Sequence, residues 1–436
     1  MVLTQKIIPQ TSPQKRHYLP WVMALIAALF FLYEFIQMNM FNSLALSFEK
    51  TFSLSAFQIG LVSAFYFLSD SILLYPAGVL LDRYSSRKLI LFGMLLCIVG
   101  TLLVTLSNNA WFLVISRFLS GTASAFCLLS ILRLSASWFP AYKMGRVTGI
   151  IVTLGMLGGA ISQTPLVLLI NTFGWRWALF SVALLGLVFF IPMFFLLKDA
   201  PEDLSHAVLK TDKFNYLSCF HGFGTLLLHK NNWLTGVYIC TMNLPIMLLA
   251  GLFGTQWMVE AHSFSMVQGA NISMMIFIGT IIGSTFFGFL SDLIHSRKKT
   301  MLIAALLSLI NFIWLLYIPS HSYLLTLLLT FFLGFFTAAQ IIGYPVVRET
   351  NDPENIGAAL GFVSVIIMGM PFLLQPIVGL LMNTSARLHH RFLLGHYIYQ
   401  NIDYKIALSL LSIGFLLSIG CALALPETHP YKNKNI

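Results

Sequence analysis

The sequence predicts an all-α membrane protein whose twelve transmembrane helices form two pseudo-symmetric bundles of six. Of its 436 residues, 58% are hydrophobic and only 9% are charged, and the mean hydropathy is +0.84. Soluble domains carry about 25% charged residues, so a soluble fold of this composition would expose large apolar patches to water. Twelve long apolar runs follow one another, and a short charged motif recurs at the corresponding place in each half.

The apolar runs are about 20 residues or longer, which is the length that a helix needs to cross a bilayer. A helix is the expected form because backbone groups in lipid must be satisfied internally. The predicted spans 1 to 12 are 18–47, 57–81, 88–107, 110–138, 147–171, 176–197, 233–258, 266–290, 300–319, 322–347, 356–383 and 402–425. We therefore expect an N-terminal bundle over 1–197, a central linker over 198–232 and a C-terminal bundle over 233–436. The apolar part of the linker, Phe214 to Lys230, favours equally a short helix on the membrane surface and a disordered tether.

Lysine and arginine predict the orientation of the spans. The formal net charge is +10, but no basic aromatic module for nucleic acid is present. With both termini in the cytoplasm, 18 of the 25 cationic residues lie in cytoplasmic segments, five lie outside and two lie within spans. This bias follows the positive-inside rule. It predicts a multi-pass membrane protein with cytoplasmic N- and C-termini. The low charge of the first loop and the short N-terminal segment favour a bacterial inner membrane.

The reactive residue types show no pattern that is typical of an enzyme. The five cysteines have no paired spacing, which favours neither a disulfide framework nor a metal site. The eleven histidines are scattered, and no Ser/His/Asp constellation is recognisable. A phosphate-binding loop of the G-x-x-x-x-G-K-[ST] type is absent, so we expect neither an ATP-driven pump nor a cofactor.

The repeated motif lies between spans 2 and 3 and again, 210 positions later, between spans 8 and 9. A small residue permits close helix contact, and charged residues at helix ends can hold neighbouring helices together. We interpret these residues as parts of a gate, in which Asp82 and Asp292 bond helix ends and cations until the gate opens. The predicted gating residues are Gly78, Asp82, Arg83, Arg87, Lys88, Gly288, Asp292, Arg297 and Lys298.

This pattern resembles the signature loop of the major facilitator superfamily of secondary transporters. Ser85 and His295 stand where that family usually has a second glycine, so the tight turn must be made differently. The resemblance covers nearly the whole chain. It implies two six-helix bundles that rock around a central site to give alternating access.

Two acids lie deep inside predicted spans. Glu34 is roughly 13 residues into span 1, and Asp70 is about 18 Å along span 2 from Asp82 at the helical rise. Buried carboxylates are costly in lipid, so each should face water, pair with a cation or carry a proton. Glu34 is therefore a proton or substrate-amine site or a structural ion-pair partner. Asp70 is a proton site or a hydrogen-bond partner between helices.

Two arginines lie in span 4. Arg117 and Gly121 form an Arg-x-x-x-Gly pattern similar to another motif of the superfamily, whose arginine is tied to substrate binding or proton coupling. Arginine keeps its charge when buried, so Arg117 can hold a substrate carboxylate. Arg133 lies nearer the end of the span, where it either serves the same site or extends to the membrane surface.

Uncharged polar and aromatic residues complete the predicted site. Gln163 follows the run Gly155-Met156-Leu157-Gly158-Gly159, which is first of all a packing face, and is either cavity-facing or a polar contact between helices. Trp257 caps the cavity or anchors span 7 at the interface. Gln340 and Gln375 are suited to hydrogen-bond peptide-like or polyol groups.

Scattered segments resemble a prokaryotic branch allied to the lysosomal dipeptide transporters. They are Tyr33-Glu34-Phe35, Ser137-Trp138-Phe139-Pro140, Gly155 to Gly158, Gln163-Thr164-Pro165, Gly174-Trp175-Arg176 and Gln340 to Tyr344. The resemblance implies proton-coupled uptake of a dipeptide, an amino acid or an organic anion. The alternatives are a proton-driven exporter of drugs or siderophores, a facilitative uniporter, and a non-transporting receptor or membrane enzyme.

Overall fold

The computed structural model describes residues 18–201, 229–318, 322–353, 355–393 and 396–428. Twelve helical segments within these ranges are long and apolar enough to cross a membrane, as the sequence predicts. The segment 202–228, which includes most of the predicted surface helix or tether, lies outside the described residues. The side chain of Asp82 also lies outside them, although its backbone continues a helix.

The first six spans and their connections occupy residues 19–196. Span 1 is Leu19–Asn39 and is followed by the helix Phe41–Phe52, span 2 is Ala56–Arg83, span 3 is Ser86–Leu106 and span 4 is Trp111–Trp138. A 3₁₀ turn, Ala141–Lys143, leads into span 5, which comprises the helices Met144–Ile161 and Thr164–Phe173, and span 6 is Trp175–Leu196.

The second six spans occupy residues 230–424. Span 7 comprises the α-helix Lys230–Leu244, the π-helix Pro245–Phe253 and the α-helix Gly254–His262; span 8 is Met266–Leu293 and span 9 is Arg297–Tyr317. Span 10 comprises Tyr323–Thr337, the 3₁₀ helix Ala338–Ile342 and Gly343–Thr350; span 11 is Ile356–Leu388 and span 12 is Asn401–Ala424. A two-stranded antiparallel hairpin, Phe392–Leu393 with His396–Tyr397, adds a small strand element that the all-α prediction did not include.

The helix starts repeat with the same offset as the charged motif. Ser55 and Gln58 form a capping box at the start of span 2, and Ser265 and Gln268 form one at the start of span 8. In each box the serine hydroxyl accepts from the glutamine N–H and the glutamine side chain accepts from the serine N–H, which satisfies two backbone donors that a helix start leaves free. The 210-residue repeat therefore includes the caps at the starts of spans 2 and 8 as well as the charged loops at their ends.

Four of the described spans are interrupted, namely spans 1, 5, 7 and 10, whereas the sequence predicted continuous runs. The helix of span 1 ends at Asn39, and Met40 separates it from the next helix. Span 5 breaks at Ser162 and Gln163, immediately before Pro165. In span 7 the π-helix begins at Pro245. Proline has no N–H to donate, so such a break frees backbone acceptors.

An even number of spans places the two ends of the described chain, Tyr18 and Thr428, on one side of the bundle. We call this the termini side and the opposite face the far side. The hydrogen bonds that join residues 18–201 to 229–428 lie from mid-depth to the far side, and they include Ala56 N–H to Tyr399 Oη (2.9 Å) and Thr164 Oγ1 to Asn271 Oδ1 (2.6 Å). The halves are therefore closed against each other on the far side.

Close contacts between helices of the two halves also lie toward the far side. A Cβ placed on Gly60 would lie 2.5 Å from Gln375 O, and a Cβ placed on Gly379 would lie 2.4 Å from Ala56 O. Spans 2 and 11 therefore touch backbone to backbone near the far side. Toward the termini side, a Cβ on Gly145, Gly149, Gly357 or Gly361 would meet no atom of the described residues within 4 Å. The structure is thus the state that is open toward the termini side.

The close helix contacts predicted at Gly78 and Gly288 are wrong for this state. Among the residues that the structure describes, no atom lies within 4 Å of a Cβ built on either glycine. The physical reason is that these glycines lie at the termini-side ends of spans 2 and 8, where the two halves have separated.

Two alanine substitutions in span 11 test this asymmetry. Gly379→Ala places a methyl group against the Ala56 carbonyl, and we expect it to destabilise the protein by about 1–3 kcal/mol through overpacking. Gly361→Ala enters open space and should be neutral or slightly stabilising, since alanine is the better helix former. Thermal unfolding of both purified variants in one detergent measures the difference. Equal melting temperatures would contradict the far-side packing.

Candidate substrate and proton site

The structure brings the two predicted acids together inside the first half. Glu34 of span 1 and Asp70 of span 2 are 1% and 2% exposed. Ser124 of span 4 lies near both carboxyl groups, and the two acids interact electrostatically. No ion pair within 4.0 Å joins either acid to a cation in the ranges that the structure describes. A pair of neighbouring buried acids is therefore the centre of the candidate site.

Tyr66 completes this cluster, and the sequence analysis did not select it. Its hydroxyl donates to Glu34 Oε1, and its ring stacks on the Arg117 guanidinium with 4.5 Å from Cζ to the ring centroid. Tyr66 precedes Asp70 by four residues and so lies on the same face of span 2. That spacing was the available signal. Tyr66 thus links the acid pair to the arginine.

Arg117 is fully buried and bonds to backbone. Its Nη1 donates to Gln37 O at 2.7 Å and its Nη2 to Met38 O at 3.3 Å. These carbonyls belong to the last turn of the first helix, where the break at Met40 leaves acceptors without helical partners. The guanidinium also lies over the Phe41 ring at 4.5 Å, so two aromatic rings flank it. In this state Arg117 caps a broken helix and is not exposed to a substrate anion.

The Arg-x-x-x-Gly spacing has a direct structural reason. Gly121 lies one turn beyond Arg117 on the same face of span 4. A Cβ at Gly121 would lie 2.0 Å from Tyr66 O. The missing side chain lets span 2 approach closely enough for Tyr66 to stack on Arg117, so the motif acts as a packing unit.

Arg133 is not part of this cluster. It is half-buried, and no hydrogen bond or ion pair in the described ranges joins it to Glu34, Asp70 or Arg117. Its Nη1 is buried and has no partner within those ranges. Arg133 is therefore a separate cation nearer the termini side of span 4.

Gln163 lies at the contact between the halves. It is fully buried, and its Nε2 donates to Ala250 O in the π-helix of span 7 at 3.0 Å. Its Oε1 accepts from Asn42 Nδ2 at 2.6 Å, and Asn42 also bonds to Thr255 of the second half at 2.9 Å. These contacts support the interpretation of Gln163 as a polar contact between helices. Asn42 was missed, although it follows the polar residues Gln37 and Asn39 at helical spacing.

The amides of the second half bond to broken or distorted helices. Gln375 of span 11 is buried and donates from Nε2 to Met247 O of the π-helix at 3.0 Å. Gln340 lies in the 3₁₀ helix of span 10, and its Nε2 donates to Asn243 Oδ1 at 3.3 Å. Of these two, the half-buried Gln340 is the less enclosed.

Trp257 is only 1% exposed, which excludes the interfacial anchor that was one of its two predicted roles. An interfacial tryptophan keeps its indole N–H at the membrane surface. The Trp257 ring instead packs edge-on against His262, with 5.6 Å between centroids. Its Nε1 has no hydrogen-bond partner within the described ranges.

The first motif loop is held by the start of the linker. Asp199 Oδ1 accepts from the Arg87 N–H at 2.8 Å, and Asp199 Oδ2 accepts from Ser85 Oγ at 2.6 Å. Arg87 Nη2 donates to Phe194 O at the end of span 6. A carboxylate at a helix start satisfies free N–H groups and opposes the helix dipole. Arg83 is exposed at the end of span 2, and the Lys88 N–H donates to Ser85 Oγ.

The second loop repeats this arrangement with a different turn. Glu427 accepts from the Arg297 N–H at 2.8 Å and from Ser296 Oγ. Arg297 Nη1 also pairs with Asp292 at 2.8 Å, and Lys298 Nζ donates to Leu423 O at 2.6 Å. His295 adopts the left-handed conformation, with φ of 53°, where the family usually has glycine. Ser85, in contrast, has φ of −63°, so only the second loop keeps a left-handed turn at this position.

These contacts change the predicted role of the gating arginines. In this state all three cations bond within their own halves. Arg87 donates to the end of span 6, and Lys298 donates to the end of span 12. The Arg297 side chain pairs with Asp292 of span 8 and Glu349 of span 10. The predicted gate between halves on the termini side is therefore open here. A set of three or more His, Cys, Asp or Glu residues able to hold a metal is absent from the described residues.

Comparison with known proteins decides the family. The sequence model of the Major Facilitator Superfamily matches residues 23–253 and again residues 234–435. The chain belongs to this superfamily. It is therefore a multi-pass membrane protein of a family of secondary transporters that act on small molecules, and it is not an enzyme.

Individual members of the superfamily are distant in sequence. The chain is 23% identical to the hexuronate transporter of Bacillus subtilis (strain 168), over 80% of this chain and 84% of that protein. It is 22% identical to the lysosomal dipeptide transporter MFSD1 of Danio rerio, over 70% of this chain and 68% of that protein. A bacterial homologue of the human lysosomal transporter Spinster, solved inward-facing and unoccupied, superposes with a TM-score of 0.72 at 15% identity, over 94% and 97% of the two chains. That structure shows the shared fold.

The capping role of Arg117 predicts that its shape matters as much as its charge. Arg117→Lys keeps a cation, but an ammonium group cannot bond both carbonyls and stack between two rings at once. We expect destabilisation of about 2 kcal/mol or more, measured by thermal unfolding in detergent. Arg133→Lys is the matched control in the same span and should stay within about 0.5 kcal/mol. An Arg117→Lys protein as stable as the wild type would show that the guanidinium contacts contribute little.

Proposed function

We propose that this superfamily member is a proton-coupled uptake transporter for a small polar solute that bears a carboxylate. The observation that carries the proposal is the pair formed by Glu34 and Asp70. Both acids are almost fully buried at mid-depth and lie near each other and near Ser124, and neither forms an ion pair within 4.0 Å in the described ranges.

The physical argument for a proton is one of charge burial. A buried carboxylate without an ion-pair partner is costly, and two such charges close together repel each other. Binding one proton removes a charge from the pair and also supplies a hydrogen-bond donor. Tyr66 stabilises the remaining charge through its hydroxyl. The pair is thus suited to take up and release a proton as the solvent access of the site changes.

Alternating access supplies that change. The structure is closed on the far side and open toward the termini side, which is one of the two end states that rocking bundles require. The positive-inside bias supports a cytoplasmic termini side in a bacterial inner membrane. The open side of this state then faces the cytoplasm, where an uptake transporter releases solute and proton. We propose that the protein acts as a monomer, with the proton as coupling ion and no cofactor.

A carboxylate is the group that the candidate substrates have in common. The names of two relatives specify hexuronates and dipeptides as their substrates, and both kinds of compound bear a carboxylate. In this state Arg117 is occupied by backbone carbonyls, whereas Arg133 has a buried N–H without a partner in the described ranges. We therefore propose Arg133 as the carboxylate anchor and Gln340 with Asn243 as a hydrogen-bonding pair on the opposite half.

Uptake by proteoliposomes with an inward proton gradient tests the proposal. The panel consists of labelled dipeptides, amino acids, hexuronates, other organic anions and neutral sugars. We expect gradient-driven accumulation of a carboxylate-bearing class. Glu34→Gln and Asp70→Asn should each reduce that accumulation by roughly tenfold or more, which corresponds to about 1.4 kcal/mol. Arg133→Gln should raise the KM for the carboxylate substrate.

Asp352→Asn is the matched control, since Asp352 is an exposed acid near the termini side. It should leave uptake unchanged. If both buried-acid variants keep wild-type gradient-driven uptake, the proton assignment is wrong. Accumulation driven only by an outward gradient would favour an exporter, and equilibration without any pH effect would favour a uniporter.

A further inference from the structure

A second pair of acids lies at the far-side contact between the halves. Glu49, in the helix Phe41–Phe52, belongs to the first half, and Glu260 belongs to the end of span 7 in the second half. The amide of Gln256 lies between them. Its Nε2 donates to Glu49 Oε2 at 2.8 Å and to Glu260 Oε1 at 3.4 Å. One amide group therefore bridges two carboxyl groups across the closed interface.

The hydrogen bonding of this bridge is short of donors. Two carboxyl groups and the Gln256 carbonyl provide the acceptors, whereas the donors are the Gln256 amide N–H groups and the Tyr404 hydroxyl, which bonds to Glu260. Gln256 is 1% exposed, and its Oε1 is buried without a partner in the described ranges. A buried acceptor without a donor costs about 1–3 kcal/mol. The site therefore lacks one donor, and its two carboxyl groups repel each other when both are ionised.

Both acids line a cavity of about 820 Å³ that lies between the halves on the far side. The cavity gives water access to a bridge that is otherwise enclosed. The charged and titratable groups around the acids come from several elements: Lys50 beside Glu49, Tyr404 and Asp403 of span 12, Arg387 of span 11, and Tyr397 and Tyr399 of the hairpin segment. Asp403 is itself paired with Arg391 at 2.7 Å. Lys50 is exposed and forms no ion pair within 4.0 Å with either acid in the described ranges.

We propose that Glu49, Gln256 and Glu260 form a second proton-binding site, which closes the far side when it is protonated and releases it when it is deprotonated. The proton removes the repulsion between the two carboxylates and supplies the missing donor. This site belongs to the contact between the halves and is distinct from the acid pair in the first half. The proposal assumes alternating access, but it requires neither the proposed substrate nor the coupling role proposed for Glu34 and Asp70.

The direction of the pH effect follows from the surroundings of Glu49. Burial, followed by the nearby Glu260 carboxylate, raises the pKa of Glu49 from 4.5 to about 8 in the closed state. In an open far side Glu49 is solvated and returns to its ordinary value. Between pH 4.5 and about 8 the closed state therefore binds more protons than the open state. The ratio of closed to open far side should fall as pH rises through this range, by up to tenfold per pH unit, and level off above about pH 8.

Distance measurements between spin labels across the far side test this without substrate. Thr51→Cys and Leu324→Cys introduce exposed labelling sites on opposite halves. Cys219 is replaced by serine, and the buried Cys97, Cys127, Cys240 and Cys421 are left in place. In nanodiscs, the wild-type background should shift from a short to a longer label distance between pH 5 and 9. Glu49→Gln removes the titrating carboxyl and should hold the short distance across that range.

Glu260→Gln provides a second variant with the same expected loss of pH dependence, in case the first does not fold. Asp352→Asn, an exposed acid far from the bridge, should behave as the wild type. The assay contains neither substrate nor a proton gradient, so its readout does not require the transport role proposed for Glu34 and Asp70. An unchanged pH dependence in both Glu49→Gln and Glu260→Gln would overturn the proposal. Restoration of the short distance at pH 8.5 by sodium, but not by choline, would assign the site to a metal cation and also overturn it.

Discussion

The structure depends on how backbone carbonyls are satisfied where its helices break. Hydrocarbon offers no water, so an unpaired carbonyl at mid-depth needs a donor from a neighbouring helix. Arg117 donates to carbonyls beside the break in span 1, Gln163 to Ala250 O, and Gln375 to Met247 O of the π-helix. Three long polar side chains thus stabilise the irregular backbone around the centre of the molecule.

This constraint gives the same residues two roles. A side chain that caps a broken helix in one conformation becomes a free donor if the break closes or moves. Gln163 shows the coupling most directly, because its acceptor belongs to the other half of the protein. Rocking of the halves must break that bond, and the released amide and carbonyl then require water or substrate as partners. The energetic cost of leaving them unpaired is a physical reason for substrate to bind before the halves separate.

The sequence predicted the architecture well because apolar length and a 210-residue repeat are local properties of the chain. It also selected Glu34, Asp70 and Arg117, since a charge inside an apolar run requires an explanation. It failed where a residue type is ordinary and only its partner matters. Tyr66 resembles many other polar residues until spans 1 and 4 are placed beside it, and Asn42 does so until spans 5 and 7 are placed beside it. The breaks in spans 1 and 5 were missed because hydropathy does not register backbone geometry. The close contacts expected at Gly78 and Gly288 are absent among the described residues in this state, because the two halves are apart on the termini side and the sequence does not show which state is adopted.

The two acid pairs differ in a way that fits a cycle. Glu34 and Asp70 both belong to the first half, so their proximity does not depend on how the halves are arranged. Glu49 and Glu260 belong to different halves, so their repulsion exists only when the far side is closed. A proton on the first pair can therefore travel with the bundle through either state, whereas a proton on the second pair changes which state is favoured. One pair is suited to carry the proton, and the other to make the far side of the protein responsive to the pH on that side.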